Sequence, residues 1–516
     1  MTLNEILELE FCNVADLIRH HAAMRPAHPA LIIADERVDF ATLNARVDRV
    51  SRALAGAAIG PDGVIAICGA MGVDYLVLFL GALRAGVPVA PLAPGSTPAS
   101  LVSMANDAGA RFCFVDAAVA AELQPLRESI QARCIGFGDA SIEPGIEAWL
   151  EASPAAEPPA AVDPQQPFNL IYSSGTTGTP KGIVQSHRMR WVQMQRAGTY
   201  GYAPDCITMV ATPLYSNTTL VSVLPTLTMG GTCVLMPRFE ARAFLELAQR
   251  HHATHAMLVP VQYQRIMALP DFERFDLSAF RFKFCTSAPF SAALKADILR
   301  RWPGGLIEYY GMTEGGGTCI LEAHLHPERL ATVGCPAPGH DMRVIDEDGR
   351  ELPAGSTGEI VGHSAGMMNG YHNQPGKTAA AEWFDAEGRR FIRTGDIGRF
   401  DAAGFLTLMD RRKDMIISGG FNVYPSDLEA VLRQHPDVME AAVVGVPSEQ
   451  WGETPVAFVV PHGGRLPDPE SLRAWANGRL GKTQRIAAVR MVESLPRSGI
   501  GKVLKRELRD GYRTAI

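Results

Sequence analysis

Apolar and polar residues alternate along residues 13–115 in a way that predicts helices and strands in turn. Leu43, Val47, Val50 and Leu54 recur with the helical period and predict a helix with one apolar face. The other predicted segments are helices over 13–24 (capped by Asn13), 74–85 and 99–108, and strands over 63–68, 87–92 and 112–115. This alternation predicts a parallel α/β sheet covered by helices.

Residues 414–516 form a second, smaller group of predicted elements. Apolar runs over 441–446 and 455–460 predict two strands. Ser426 predicts the start of a helix that presents Leu428 and Leu432 on one face. A cluster of charged residues at 410–414 separates this group from the rest of the chain. The pattern therefore predicts an α/β protein with a large N-terminal and a small C-terminal domain.

Composition narrows the class of protein. A chain of 516 residues can bury a large core and should hold more than one domain. The formal net charge of −7 gives no general attraction to nucleic acid or to anionic membranes. Nine cysteines without a C-x-x-C pair predict reduced, mostly buried thiols. The N-terminus lacks a signal-peptide pattern, and the most apolar helix, 75–83, is too short to span a bilayer. We therefore expect a cytoplasmic protein with no integral membrane segment and no nucleic-acid partner.

One stretch combines loop-forming and polar residues to an unusual degree. After the apolar run 168–171, residues 172–182 read Tyr-Ser-Ser-Gly-Thr-Thr-Gly-Thr-Pro-Lys-Gly. Glycines let backbone N–H groups line a concavity for phosphate oxygens, and Lys181 adds a positive charge. The stretch lacks the Gly-Lys-Ser/Thr ending of a P-loop. A flexible surface loop is the alternative interpretation, although the flanking apolar runs disfavour it.

Two further segments carry candidate chemistry. Residues 309–314 read Tyr-Tyr-Gly-Met-Thr-Glu, and a carboxylate such as Glu314 is a hard ligand suited to Mg²⁺. Residues 495–502 read Leu-Pro-Arg-Ser-Gly-Ile-Gly-Lys and end on Lys502. Taken singly, each has an ordinary alternative: an exposed turn for Glu314 and a solvated charge for Lys502.

Together these segments resemble the motifs of the adenylate-forming superfamily, which includes acyl-CoA synthetases, nonribosomal-peptide adenylation domains and beetle luciferases. The resemblance covers nearly the whole chain. It implies ATP, Mg²⁺ and CoA as ligands. It also implies an N-terminal domain of parallel and mixed sheets packed with helices, residues 1–411, that binds ATP and the acyl substrate. A small mobile α+β lid, residues 412–516, would carry the catalytic lysine.

The resemblance assigns site residues segment by segment. The implied ATP-phosphate loop is Ser173, Ser174, Gly175, Thr176, Thr177, Gly178, Thr179 and Lys181. The implied adenine and ribose contacts are Ser287, Ala288, Pro289, Tyr310, Asp396 and Arg411. The implied acyl pocket is Tyr215, Ser216, Gly311, Gly315 and Gly316, and the implied CoA tunnel is Ser418, Gly419, Gly420 and Phe421. The implied catalytic residues are Lys502, Thr313 and Glu314. The implied metal ligands are Glu314 and Thr177, and the implied hinge is Lys413.

Within these assignments three alternatives stay open. Ser216 stands where many relatives carry a histidine near the reacting carboxylate, so it either lines a polar pocket or caps a helix. Gly315 and Gly316 either leave room for a sizeable acyl group or free a loop. Asp396 is expected at a loop tip, where its carboxylate would accept hydrogen bonds from both ribose hydroxyls, or as an ordinary β-turn residue.

The resemblance implies an AMP-forming acid–CoA ligase of the aryl or fatty-acyl type. The carboxylate would attack ATP to give acyl-AMP and pyrophosphate, and CoA would then take the acyl group. The alternative is a stand-alone adenylation enzyme that loads a carrier protein; a catalytically inactive nucleotide sensor and a luciferase-type oxygenase carry little weight. The acid is not specified by the sequence, and the assembly state is open, with a homodimer among the options.

Overall fold

The structure is a computed structural model of the chain. It describes every residue except 141, 155, 159–160, 174–180, 412–413, 419–420, 449–450, 464–466, 482–483, 499–500 and 515–516. The chain divides into two compact units. The first comprises Met1–Ala331, Pro336–Asp341 and Gly362–Ile392, and the second comprises Thr332–Cys335, Met342–Val361 and Arg393–Ile516. The predicted domain boundary between Arg411 and Arg412 stays a prediction, because residues 412–413 lie outside the described part of the chain.

The helices are α1 (Leu3–Leu7), α2 (Val14–Met24), α3 (Phe40–Gly56), α4 (Val73–Arg84), α5 (Pro98–Asp107), α6 (Ala117–Leu123), α7 (Ile146–Ala152), α8 (His187–Gln195), α9 (Asn217–Thr228), α10 (Ala241–Arg250), α11 (Pro260–Met267), α12 (Ala292–Arg301), α13 (Pro375–Ala380), α14 (Pro425–Leu432), α15 (Pro469–Asn477) and α16 (Lys505–Thr514).

The strands are β1 (Pro29–Ile33), β2 (Glu36–Asp39), β3 (Val64–Cys68), β4 (Val89–Leu92), β5 (Ala110–Val115), β6 (Arg133–Gly136), β7 (Pro167–Ser173), β8 (Lys181–Ser186), β9 (Ile207–Val210), β10 (Thr232–Leu235), β11 (His255–Leu258), β12 (Phe282–Cys285), β13 (Gly305–Tyr310), β14 (Cys319–Glu322), β15 (Cys335–Pro336), β16 (Asp341–Ile345), β17 (Gly358–His363), β18 (Gly370–Tyr371), β19 (Glu382–Phe384), β20 (Arg390–Phe400), β21 (Leu406–Arg411), β22 (Ile416–Ser418), β23 (Phe421–Val423), β24 (Val438–Ser448), β25 (Gly452–Pro461) and β26 (Ala488–Met491).

Two large sheets build the first unit. One contains the strand order β14–β13–β12–β11–β9–β10–β1–β2, and the other the order β18–β8–β7–β4–β3–β5–β6. The central strands of both sheets pair in parallel, whereas β2, β14, β8 and β18 pair antiparallel with their neighbours. The predicted architecture of parallel and mixed sheets packed with helices is confirmed.

The predicted amphipathic helices owe their positions to burial of one apolar face. Leu43, Val47, Val50 and Leu54 of α3 are all fully buried. The Asn13 side chain accepts a hydrogen bond from the Ala15 N–H at 3.1 Å and so caps α2, as predicted. Satisfying a free N–H at a helix start typically contributes about 1 kcal/mol.

The second unit contains a long antiparallel hairpin of β24 and β25, which are paired from Val438 opposite Pro461 to Ser448 opposite Gly452. Both strands extend beyond their predicted bounds. The predicted start of the helix before this hairpin was wrong: α14 begins at Pro425, after Tyr424, and not after Ser426. Instead of capping the helix, Ser426 donates its hydroxyl to the Met409 carbonyl, and its N–H donates to Asp410 Oδ2 at 2.8 Å. These bonds tie α14 to the end of β21.

The structure bears on two expectations from composition, the state of the cysteines and the length of the apolar helices. All nine cysteines are free thiols, and all but Cys12 and Cys335 are buried, as predicted. Among the helices that the structure describes, none is both long and apolar enough to cross a bilayer.

Candidate active site

The carboxyl ends of β9, β11, β12 and β13 lie along one edge of a sheet, because these strands are parallel neighbours. In open α/β sheets this edge is where ligands bind. The strand order therefore brings together three segments that the sequence singled out: 215–218 after β9, 286–289 after β12 and 310–316 at the end of β13.

Side-chain hydrogen bonds join these segments. Thr286 Oγ1 donates to the Tyr309 carbonyl at 2.8 Å, and the hydroxyls of Thr218 and Ser287 lie 2.6 Å apart. Ser287 also holds a left-handed backbone conformation, with φ of 82°. Such strain costs on the order of 1–3 kcal/mol in a residue other than glycine and concentrates at functional sites. The predicted adenine segment is thus a strained turn fixed on both sides.

The predicted α-phosphate and metal residues are oriented by the other sheet. The Thr313 carbonyl accepts a hydrogen bond from Gln185 Nε2 at 2.6 Å, and Gln185 is fully buried in β8. Glu314 Oε1 accepts a hydrogen bond from the Tyr371 hydroxyl at 2.8 Å. Burial, together with the nearby charge of Glu314, raises the pKa of Tyr371, so its hydroxyl remains a donor at neutral pH.

The predicted phosphate lysine reaches the same tyrosine. Lys181 Nζ lies 4.8 Å from the centroid of the Tyr371 ring, a cation–π distance. Tyr371 therefore contacts both a predicted phosphate-binding cation and the predicted magnesium carboxylate.

Glu314 fits the magnesium role that the family motif implies. Mg²⁺ in nucleotide enzymes is usually held by one or two carboxylates plus phosphate oxygens. Here one carboxylate oxygen is oriented by a phenol. Among the described residues no group of three or more His, Cys, Asp or Glu side chains could hold an ion. Thr177, the other predicted ligand, lies outside the described residues.

The backbone conformation and its close packing require the two glycines after Glu314. Gly315 and Gly316 have φ values of 74° and 85°, in the left-handed region. A Cβ on Gly315 would meet the Gly366 carbonyl oxygen at 1.8 Å, and one on Gly316 would meet the Gly362 carbonyl oxygen at 2.9 Å. The close approach of these backbones explains the absence of side chains, and the assignment of both glycines to the acyl pocket stays a prediction.

The remaining predicted pocket residues differ in exposure. Ser216 is the N-cap of α9, and its hydroxyl accepts a hydrogen bond from the Thr218 N–H at 3.3 Å. It is buried, Tyr215 is half-buried and Gly311 is exposed. Of the two interpretations of Ser216, the structure supports helix capping directly; a role in the pocket stays a prediction.

In the second unit, two predicted ribose contacts are cross-strand neighbours. Asp396 in β20 lies opposite Arg411 in β21. The expected loop tip or β-turn for Asp396 was wrong, because the residue lies within a strand, directly after the left-handed Gly395 with φ of 69°. The strand position places the buried Asp396 carboxylate on a fixed backbone. Its contact with ribose stays a prediction.

Lys502 lies in a tight turn of the second unit. The Ser498 N–H donates to the Lys502 carbonyl at 2.8 Å, and the Lys502 N–H donates to Ser498 Oγ at 3.2 Å. Arg497 braces this turn: it donates to the Gly501 carbonyl at 2.7 Å and to Glu440 Oε2 at 2.6 Å. The backbone that carries the predicted catalytic lysine is therefore held at several points.

Several predicted site residues lie outside the described part of the chain: Ser174, Gly175, Thr176, Thr177, Gly178, Thr179, Lys413, Gly419 and Gly420. Ser173 ends β7, directly opposite Lys181 in β8, so the phosphate segment connects two paired strands. In the predicted CoA tunnel, Ser418 of β22 pairs with Phe421 of β23. Ala288 is half-buried and Pro289 is exposed.

The sequence interpretation missed three residues that hold the site. The sequence motifs assigned no role to Tyr371, Gln185 or Arg190. Gln185 follows the apolar pair Ile183 and Val184 in β8, and Arg190 lies in the polar helix α8; both side chains are fully buried. A buried polar side chain needs a partner, so their position next to the loop was the signal available.

Comparison with known proteins agrees with this geometry. The family model for AMP-binding enzymes matches residues 18–372, and the model for the AMP-binding enzyme C-terminal domain matches residues 427–502. An indoleacetate–CoA ligase of Aromatoleum aromaticum is 31% identical over 508 residues, which is 96% of this chain and 97% of the relative. A fatty acid–[acyl-carrier-protein] ligase of Streptomyces coeruleorubidus is 30% identical and covers 95% of both chains.

A solved structure of an ATP-bound protein has a similar fold. The crystal structure of ATP-bound MatB from Rhodopseudomonas palustris superposes with a TM-score of 0.86 at 29% identity, covering 97% of this chain and 99% of that chain. The family models, the full-length relatives and the fold agree, and the chain therefore belongs to the AMP-binding enzyme family, the adenylate-forming superfamily that its motifs resemble.

Proposed function

We propose that this adenylate-forming enzyme is an AMP-forming acid–CoA ligase. The acid's carboxylate attacks the α-phosphate of ATP and releases pyrophosphate, and the thiol of CoA then displaces AMP from the acyl-adenylate. CoA ligases among full-length relatives support this reaction, including the indoleacetate–CoA ligase. We further propose an aromatic or fatty acid as substrate, and a cytoplasmic location.

One observation supports the proposed first half-reaction, the formation of acyl-AMP. Lys181 and Glu314, predicted to act on the phosphates of ATP, both contact Tyr371. Two anions must approach each other for the carboxylate to attack, so positioning and positive charge are what the site must supply. Lys181 would hold the outer phosphates and Thr313 the α-phosphate. Mg²⁺ on Glu314 would neutralise phosphate charge when bound.

The second unit would complete the reaction. Lys502 would neutralise the charge that develops as the carboxylate attacks, and Asp396 and Arg411 would hold the ribose. Thiol transfer would then need a movement about Lys413 that opens the channel beside Ser418. We also propose that the part of the chain that moves is residues 412–516, and that Asp396 and Arg411 stay with residues 1–411.

A second candidate differs only in the thiol acceptor. The relative from Streptomyces coeruleorubidus is named as a ligase that uses an acyl-carrier protein. A carrier protein and CoA both present a phosphopantetheine thiol, so the same adenylation site would serve either.

The test is a panel of carboxylic acids assayed for AMP formation with ATP and Mg²⁺. Benzoic, cinnamic, indole-acetic, short, branched and fatty acids are each tested alone, with CoA, and with a phosphopantetheinylated carrier protein. We expect AMP formation that depends on one acid class and on CoA. AMP formation that does not increase on adding CoA, but does increase on adding carrier protein, would replace the proposal by the second candidate.

A further inference from the structure

Arg190 is a fully buried guanidinium in α8, directly behind the candidate active site. Its Nη2 atom donates to Gln185 Oε1 and, at 2.8 Å, to Asn217 Oδ1. Its Nη1 atom donates to Gln193 Oε1 at 3.1 Å, and Nε has no partner among the described residues. All of these acceptors are neutral carboxamides. Burial lowers the pKa of Arg190 to about 9, so it remains a cation at neutral pH.

This arrangement is costly for folding. A buried charge without a compensating acid loses its hydration and gains only hydrogen bonds to dipoles. Arg84 provides the contrast within the same unit, because it is equally buried but pairs with Asp48 Oδ1 at 2.6 Å. The uncompensated charge of Arg190 lies beside a site whose proposed substrates, the acid and ATP, are both anions.

The two acceptors of Arg190 Nη2, Gln185 and Asn217, lie beside two different segments of the candidate site. Gln185 uses its Nε2 to hold the Thr313 carbonyl, next to the predicted metal ligand. Asn217 is the first residue of α9 and follows Ser216. The family resemblance places the reacting carboxylate near Ser216, where many relatives carry a histidine. Arginine can only donate, so the carboxamide oxygens must face it and the NH₂ groups must face away. Arg190 therefore determines the orientation of both amides.

We propose that Arg190 is a positioning residue that locks Gln185 and Asn217 so that the α-phosphate turn and the acid-binding end of α9 keep one geometry. Through Asn217 it presents two N–H donors to the acid, either to its carboxylate or to an acceptor beside it. Through Gln185 it fixes the turn that carries Thr313 and Glu314. The inference rests on the proposed function and adds a specificity-determining residue, Asn217, to it.

The test compares single variants in steady-state kinetics with the best acid of the panel. Asn217→Leu should raise the KM for the acid about tenfold and leave the KM for ATP within about twofold, as loss of one hydrogen bond to a charged group predicts. Gln185→Leu should lower kcat about tenfold and leave the KM for the acid nearly unchanged. Arg190→Met should show both effects.

A double variant and a matched control separate positioning from simple stability. Arg190→Met combined with Asn217→Leu should raise the KM for the acid no more than Asn217→Leu alone, because both act through one contact. Arg84→Met removes an equally buried arginine outside the site; it should lower the melting temperature without changing either KM.

The proposal is overturned if Arg190→Met keeps kcat and both KM values within twofold, if Arg84→Met changes them in the same way, or if the double variant multiplies the single effects. If Arg190→Met does not fold, Arg190→Lys replaces it. Lysine keeps the charge but lacks the planar fork, so both kinetic effects should persist. A wild-type protein that activates no acid would instead refute the proposed function.

Discussion

At the scale of single residues, the site depends on polar side chains that orient other polar side chains. Tyr371 contacts Glu314 through its hydroxyl and Lys181 through its ring, although it lies in a segment without evident chemistry. Gln185 and Arg190 act in the same way from the adjacent strand and helix. Each of these side chains is buried or half-buried, so each satisfied hydrogen bond also removes alternative rotamers of the group it holds.

We predict that Tyr371→Phe lowers the rate of acid-dependent AMP formation about tenfold, the cost of one hydrogen bond to a charged group. The ring remains, so the contact with Lys181 persists. Because Glu314 loses its orienting donor, the Mg²⁺ concentration needed for half-maximal ATP binding should rise. Isothermal titration calorimetry measures this binding. Tyr512→Phe, whose ring packs on Phe458 in the second unit, is the control and should change neither value. An unchanged Mg²⁺ dependence in Tyr371→Phe would contradict the assignment.

At the scale of elements, the turns after parallel strands decide the geometry of the site. The turn after β13 carries Thr313 and Glu314 and closes against the backbone at Gly366 and Gly362. A buried ion pair between Lys295 of α12 and Glu308 of β13 anchors the strand that leads into this turn. Strain and close packing occur in the turns, while the strands provide the rigid support, which is how functional sites are usually built.

We predict that Gly315→Ala destabilises the protein by several kcal/mol, since left-handed strain alone costs on the order of 1–2 kcal/mol and the new Cβ would overlap a carbonyl oxygen. AMP formation should fall with it because Thr313 and Glu314 share the turn. Gly376→Ala is the matched control. A Cβ there meets nothing within 4 Å, and alanine is favoured in α13, so stability should be unchanged or higher. Urea denaturation of both variants measures the difference; equal midpoints would contradict the explanation.

At the scale of the whole molecule, the two units carry different parts of the proposed reaction. The first unit holds Lys181, Thr313 and Glu314 in a geometry fixed by two sheets. The second unit carries Asp396 opposite Arg411, and it carries Lys502 in a braced turn. The first unit also buries several neutral histidines, which makes its stability depend on pH.

We predict that Lys502→Ala lowers exchange of pyrophosphate into ATP by a factor of at least about 100, the usual cost of removing one preorganised charge from a reaction centre. Transfer of the acyl group from supplied acyl-AMP to CoA should persist, since attack at the α-phosphate is then bypassed. Lys377→Ala, in α13 of the first unit, should retain both activities. Undiminished exchange in Lys502→Ala would refute the catalytic role.

We also predict a loss of stability below about pH 6 from buried histidines. Burial lowers the pKa of His187 to about 4, and both its ring nitrogens lack partners among the described residues. The unfolded state therefore takes up a proton near pH 6.5 while the folded state does not. Above pH 6.5 the neutral His187 leaves the free energy of unfolding at its full value. As the pH falls towards 4, the free energy of unfolding decreases, by about 2 kcal/mol at pH 5.

The variant His187→Phe tests this directly. The His187 ring packs against Phe168 at a centroid distance of 5.1 Å, so phenylalanine suits the surroundings. The loss of unfolding free energy between pH 7 and pH 5, from urea denaturation, should be about 2 kcal/mol smaller in the variant. His21 and His255 have pKa values lowered to about 4 by burial and act in the same direction. An identical pH dependence in wild type and variant would exclude His187 as a source.

The sequence by itself determined the local structure and the family. Helix caps, apolar periodicity and loop motifs depend on residues a few positions apart, which explains why α2, α3 and the β3–α4–β4–α5–β5 alternation were predictable. Only the tertiary structure decided the contacts of Glu314 with Tyr371, 57 residues later, and of Arg190 with Asn217, 27 residues later. These partners meet because of the strand order, which no local pattern specifies. For the same reason only the structure could show that Asp396 lies in a strand and that the backbone of Gly366 approaches Gly315 closely.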